Sequence, residues 1–226
     1  MNLTLLDNPI WYALNSHQRH LAWRGKLAAR YQPGVSDAAA MLEYNTLGFN
    51  DLSSLVETDE TLGVVGSLPK ELTGWEILQV SQFPQMVCQA LRPAPHVDAI
   101  NLTADDVPDI LNLVALAQPG PFLSRTIEMG QYLGLRRNGR LVAMAGERLH
   151  LTGFCEISAV CTHPDYRGRG YAGALTTMVA KNMIARQEIP FLHVSSTNHT
   201  AIKLYKRLGF QIRREITLTI LKKLAE

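Results

Sequence analysis

The chain has 226 residues, 46% hydrophobic and 19% charged, enough to bury a sizeable core in one large domain or two small ones. A formal net charge of +2 offers little to nucleic acid or to an anionic membrane surface, so neither is expected as a partner. No run approaches the ~20 apolar residues of a membrane span, and Met1–Asp7 lacks the basic start and long apolar run of a signal peptide. Cys88, Cys155 and Cys161 form an odd set without CxxC spacing, which predicts a reduced, cytoplasmic setting.

In chain order, Asn8-Pro9 opens a predicted helix carrying Ile10, Trp11, Leu14 and His17, with Pro9 at its first position. Thr61–Val65 and Trp75–Val80 read as short strands. Nothing in residues 1–92 has the spacing of a catalytic or metal site; His17 and His20 lack a third ligand, so no metal is expected. Leu91–His96, with prolines at 93 and 95, reads as an extended linker. It divides an N-terminal α/β region, 1–92, from a second domain, 96–226.

The second part is more regular. Val97–Leu102 reads as a strand, and Thr103-x-x-Asp106 resembles a capping box. It opens a helix with Val107, Ile110, Leu111 and Val114 on one face, Pro108 delaying its regular part. Pro119-Gly120-Pro121-Phe122 is a rigid turn feeding a short helix that carries Arg125 and Glu128. Asn138-Gly139 predicts a tight hairpin between Tyr132–Arg137 and Arg140–Leu149, and Thr152-Gly153 turns the chain into Phe154–Thr162. A helix with Ala172, Leu175, Val179 and Met183 inward must end near Pro190. Phe191–Ser195 follows by a crossover and is therefore expected parallel to 154–162. Asn198 is an N-cap, Gly209 a helix stop, and Phe210–Ile216 with Thr217–Leu221 completes a mixed α/β sheet.

Between strand 154–162 and the next helix lies Arg167-Gly168-Arg169-Gly170-Tyr171-Ala172. Glycines admit a ligand close to the backbone, a helix start offers unpaired N–H groups, and two arginines add charge, a combination suited to a pyrophosphate. Gly168-x-Gly170-x-x-Gly173 also fits the dinucleotide fingerprint. That reading wants an acidic residue at the end of the following strand, where Ser195-Ser196 stands, and a position in a first βαβ unit rather than after three antiparallel strands.

Arg167-x-x-Gly170-x-Ala172 resembles the cofactor loop of the GNAT superfamily of acyl-CoA-dependent N-acyltransferases. Asn198-x-x-Ala201-x-x-Leu204-Tyr205-x-x-x-Gly209-Phe210 is similar to its second cofactor motif. The resemblance spans roughly 97–223 and is greatest to the glycine N-acyltransferase-like branch. It implies the GNAT fold and direct transfer of an acetyl group from acetyl-CoA, without metal, to a small-molecule or peptide amine. Val160, Cys161, Thr162, Arg167, Gly168, Arg169, Gly170, Tyr171, Ala172, Asn198 and Tyr205 would hold the cofactor. A longer acyl donor, or a non-catalytic acyl-CoA-binding module, are the alternatives.

The resemblance also implies a general base at Glu156, eleven residues before Arg167. Strand alternation puts Cys155, Ile157, Ala159 and Cys161 on an apolar face and Glu156, Ser158, Val160 and Thr162 on the other. A lone carboxylate there either pairs with an arginine such as Arg148 across the hairpin or, with its pKa raised in a low-dielectric cleft, takes the proton of an attacking amine. Tyr205 is either a core residue or the acid that protonates the departing thiolate. Asn198 caps its helix, bonds the cofactor arm, or both. Glu147 and His150 line the acceptor site or cap a hairpin, and Arg125 and Glu128 are candidates for its wall. Cys161 and His163, two apart, suggest a thiol nucleophile, but Cys161 belongs to the apolar face.

Overall fold

The computed structural model describes residues 2–69 and 72–225. Their strands form one mixed sheet, and this α/β architecture is the expected one. The strands are β1 (Ala22–Arg24), β2 (Ala28–Tyr31), β3 (Ala38–Met41), β4 (Thr61–Val65), β5 (Trp75–Cys88), β6 (Ile100–Leu102), β7 (Tyr132–Arg137), β8 (Arg140–Leu151), β9 (Phe154–Thr162), β10 (Ile189–His193) and β11 (Phe210–Lys223). They are ordered β1-β2-β3-β4-β11-β5-β10-β9-β8-β7-β6. β9 and β10 are parallel, as are β3 and β4; the remaining pairs are antiparallel. The helices are α1 (Pro9–Leu14), α2 (Thr46–Ser53), α3 (Val107–Ala117), α4 (Tyr171–Ala185) and α5 (His199–Arg207).

The sheet is covered on both faces. Leu175, Val179 and Met183 of α4 pack against Leu135, Cys155, Ile157 and Leu192. On the other face Ile10 and Leu14 of α1 meet Tyr31, Leu149, Phe154 and Phe191. α2 and α3 close smaller apolar clusters of their own. β5, which precedes the proline-rich segment, lies between β10 and β11, which follow it.

Local chemistry explains where elements start and stop. Asn138 and Gly139 both have positive φ, 50° and 78°, as the two-residue hairpin requires. Gly209, at φ 97°, ends α5 against the carbonyl of Ala90, which a Cβ would strike at 1.9 Å.

Some boundaries differ from expectation. α1 stops at Leu14, so His17 lies outside it and stacks on His150, ring centroids 4.4 Å apart. The first strand after the linker begins at Ile100 rather than Val97. α3 begins at Val107, with Pro108 in its first turn rather than delaying it, and buries Ile110 and Leu113 while Leu111 is exposed. β5 runs eight residues beyond Val80, through Pro84, which is tolerated just past the last β10 pair, Gln85 with His193. The two C-terminal segments are one continuous strand.

Candidate active site

β9 and β10 pair only from Phe154–Ile189 to Glu156–Phe191, and then separate. Beyond Glu156 the β10-facing edge of β9 is therefore free. On its other side β9 shifts register against β8 between Gly146–Ser158 and Met144–Cys161. Ala159 takes φ +54°, a conformation L-residues adopt at a cost of roughly 1–2 kcal/mol, and the extra residue makes a β-bulge. The bulge corrects the simple alternation. Cys155 and Ile157 face α4, but past it Val160 packs toward α4 while Ala159 and Cys161 pack against the α3 cluster. A one-residue slip moves every later side chain to the opposite face.

The glycine-rich loop ends at the start of α4. Gly168 and Gly170 have φ of +78° and +79°, and a Cβ at either would meet nothing within 4 Å. They are thus required by conformation, and they border open space. Ala174 donates to the Gly170 carbonyl at 3.0 Å, so the amides of Tyr171, Ala172 and Gly173 have no acceptor within the helix. Arg167 Nε donates to the Thr162 carbonyl at 3.4 Å, and Arg169 lies over the Tyr166 ring, 5.0 Å from its centroid. Open backbone, unpaired amides and positive charge together fit a pyrophosphate.

Glu156 is 1% exposed and heavily partnered. Arg148 reaches it from β8 through Nε at 2.8 Å and Nη2 at 2.6 Å, and His193 Nδ1 lies 2.7 Å from Oε1. Burial alone raises the carboxyl pKa, but Arg148 and His193 outweigh it and draw it down to about 2. The raised pKa expected of a carboxylate in a cleft is thereby corrected. The same pair raises the Arg148 pKa: burial lowers it, and Glu156 more than offsets that.

The network fixes a tautomer. Gln85 Oε1 accepts from Arg213 at 2.9 Å, leaving its Nε2 to donate to the Leu6 carbonyl at 2.8 Å and to His193 Nε2 at 3.1 Å. His193 Nε2 is then the acceptor and Nδ1–H donates to Glu156. His193 and Gln85 were not singled out in the sequence. Parallel pairing of Phe191 with Glu156 puts residues 191, 193 and 156 on one face, so His193 was recoverable from the expected strand; Gln85 was not.

Tyr205 is buried in α5 beside Phe210, ring centroids 6.1 Å apart. Burial first, then Cys161, pushes its hydroxyl up to about 12, and no hydrogen-bond partner for it lies among the described residues. Asn198 Oδ1 accepts from the Ala201 amide at 3.1 Å, so the cap is present. Cys161 is buried, and burial pushes its thiol up to about 12, which disfavours a nucleophilic thiolate.

A cavity of about 320 Å³ lies on the face opposite α4. Its lining includes Arg148, Ser158, Ala159 and His193 together with residues of α1, Val35–Ala38, β4, β5, the 119–129 segment and β11. Glu147 and His150 stand outside this lining: Glu147 pairs with Arg186 at 2.7 Å and His150 with Glu188. Arg125 and Glu128 pair at 2.7 Å, and Arg125 also reaches Gln32 of the N-terminal region. No cluster of three or more metal-ligating side chains occurs among the described residues.

A sheet split beside a glycine-opened helix start defines an acyltransferase-like architecture, and the comparisons agree. Residues 132–218 match the FR47-like protein family. A GNAT-family acetyltransferase structure from Novosphingobium aromaticivorans is 36% identical, with TM-score 0.87, covering 97% of this chain and 99% of its own. A GCN5-related N-acetyltransferase from Kribbella flavida shares the fold at TM-score 0.63 and 14% identity, over 99% of this chain and 95% of its own. Mycothiol acetyltransferase of Corynebacterium aurimucosum is 40% identical over 63 residues, 27% of this chain and 21% of that protein. An acetyltransferase of Yersinia pestis is 41% identical over 58 residues, 25% of this chain and 40% of its own. The matches thus span well under half the length of these curated relatives. The chain belongs to the GNAT family of acetyltransferases.

Proposed function

We propose that the protein moves an acetyl group from acetyl-CoA directly to an amine, releasing coenzyme A and an N-acetylated product. The observation that carries this reading is the gap between β9 and β10, with the open glycine loop toward α4 and the cavity on the opposite face. In this reading Arg167–Ala172 holds the pyrophosphate and Asn198 the cofactor arm. The backbone at Val160, Cys161 and Thr162 lies along the pantetheine, its freed N–H groups polarising the thioester carbonyl.

Glu156 is the proposed base, working late. With a pKa near 2 it cannot strip an ammonium ion whose reference value is about 10 on the lysine scale. The free amine attacks first, and its nitrogen becomes far more acidic once bonded to the carbonyl carbon. Glu156 accepts three hydrogen bonds, leaving one lone-pair position for that proton, directly or through water. Tyr205 then protonates the thiolate as the carbon–sulfur bond breaks.

Thiol release from acetyl-CoA, followed with a panel of primary amines, tests this. Thiol is expected only when an amine is present. The rate at low amine concentration should rise with the free-amine fraction, with no inflection from Glu156 above about pH 5. Tight acetyl-CoA binding without turnover on any amine would leave a binding module instead.

A further inference from the structure

Gln85 is fully buried, and its amide is used at both N–H groups and at the carbonyl. It stands opposite His193 in the antiparallel pairing of β5 with β10, so both side chains project from the same face of the sheet. Its Nε2 donates to His193 Nε2 at 3.1 Å and to the Leu6 carbonyl at 2.8 Å, and its Oε1 accepts from Arg213 Nη1 at 2.9 Å. A flipped amide would set oxygen against the Leu6 carbonyl and N–H groups against the guanidinium. Leu6 and Arg213 thus fix the orientation independently of His193.

Arg213 reaches Gln85 through a local irregularity of β11. Ile212 pairs with Met86 and Arg214 with Gln85, which leaves Arg213 as the extra residue of a bulge. Bulges re-aim a side chain that plain alternation would send elsewhere. Arg213 Nη2 in turn bonds Asp7 at 2.6 Å. A chain of contacts therefore runs from Asp7 through Arg213, Gln85 and His193 to Glu156, whose Oε1 lies 2.7 Å from His193 Nδ1.

This arrangement decides how many protons His193 carries. An amide N–H aimed at Nε2 leaves no room for a proton there, so the ring donates through Nδ1 alone. With Nε2 protonated as well, Glu156 would face two cations, an imidazolium and Arg148, instead of one. A second cation makes a carboxylate a weaker base. We infer that Gln85 is a positioning residue for the base: held by Arg213 and the Leu6 carbonyl, it keeps His193 a neutral donor to Glu156. This rests on the transferase reading for the step it serves, but not for the state of the ring. It also gives the N-terminal region a task, since Leu6, Asp7 and Gln85 all belong to it.

Nitrogen NMR of His193 at neutral pH tests this, with a His193→Gln sample to assign the signals. In the wild type Nε2 should be an unprotonated, hydrogen-bonded nitrogen. Gln85→Glu offers an acceptor in place of the donor, so Nε2 should be protonated at the same pH. Gln85→Met, of similar volume, removes the donor without adding charge and should shift the signal part of the way. In both variants turnover per folded molecule should fall about 10-fold, below the usual contribution of the base itself, while KM for acetyl-CoA holds. A purely structural role would lower the melting temperature and leave the ring signal and the turnover of the folded fraction unchanged. A protonated Nε2 in the wild type, an unprotonated one in Gln85→Glu, or an unshifted signal in Gln85→Met overturns the inference. So does full turnover per folded molecule in a variant whose ring state has changed. The expected ring states in a wild type that acetylates no amine would retain the role of Gln85 at the ring and sink the transferase reading alone.

Discussion

The two sides of the gap between β9 and β10 are built in opposite ways. The side facing α4 comes from one continuous stretch, Phe154–Ala172, with α5 added across it. Its parts are backbone: a bulge, two positive-φ glycines and the first amides of a helix. The cavity side gathers side chains from β3, β4, β5, β8, β10, β11 and the 119–129 segment. A cofactor common to a family can be held by local backbone geometry. An acceptor that differs between members must be met by side chains that vary independently.

The comparison breaks most sharply at Glu156, which joins the two sides. Glu156→Gln removes the counter-charge of Arg148 and should destabilise the fold; because the Arg148 side chain keeps 36% exposure, water offsets part of that loss. Turnover per folded molecule should fall roughly 10²–10⁴-fold, with acetyl-CoA affinity kept. Titration gives the same result in the wild type. The folded carboxyl titrates near 2, below its ordinary 4.5, so the stabilisation is complete above pH 4.5 and disappears as pH falls toward 2. That loss is on the order of 3 kcal/mol, read as an acid-unfolding shift absent in Glu156→Gln. Unchanged acid stability and unchanged turnover in this variant would remove Glu156 from both roles.

The cofactor side is tested at Gly170. Open space around its Cβ means that Gly170→Glu need not disturb packing, although φ +79° adds strain of about 1 kcal/mol. A carboxylate there faces the position proposed for pyrophosphate. Acetyl-CoA should bind about 10- to 100-fold more weakly. Calorimetry with acetyl-CoA reads the change. Undiminished acetyl-CoA affinity would mean that the loop does not hold the phosphates.

The same contrast explains what was legible in the sequence. Asn138-Gly139, Gly168-x-Gly170 and Asn198 act on their immediate neighbours, so their turns, loop and cap can be read from the chain. The Arg148–Glu156 pair was readable too, because a hairpin brings the two together. The bulge at Ala159 was not: alanine gives no sign of positive φ, and the register of β8 imposes it. Gln85 carries no local signal either. It bonds Leu6 and Arg213, contacts that exist only after the sheet has closed.

The smallest expected effect belongs to Tyr205, where the two sides of the site compete for one residue. Its ring packs in the core shared with α4, and no hydrogen bond to its hydroxyl occurs among the described residues, nor is that atom among the buried unpartnered ones. Removing a hydroxyl that holds a buried hydrogen bond costs about 1 kcal/mol or more, but removing one that makes no such bond costs nothing of the kind. Tyr205→Phe should therefore leave the melting temperature unchanged or slightly higher, whether or not the residue acts in catalysis. Turnover is the informative reading. The hydroxyl is pushed up to about 12, above a leaving thiol whose reference value is near 8.5 on the cysteine scale. It is thus a reluctant acid toward a group that departs well unaided, and the loss should be only about 10-fold, at the bottom of the general-acid range. A thiol with a higher pKa departs less readily without help, so a cofactor analogue carrying one should widen the difference between Tyr205→Phe and wild type. Equal turnover of both enzymes with both donors would assign Tyr205 to packing alone.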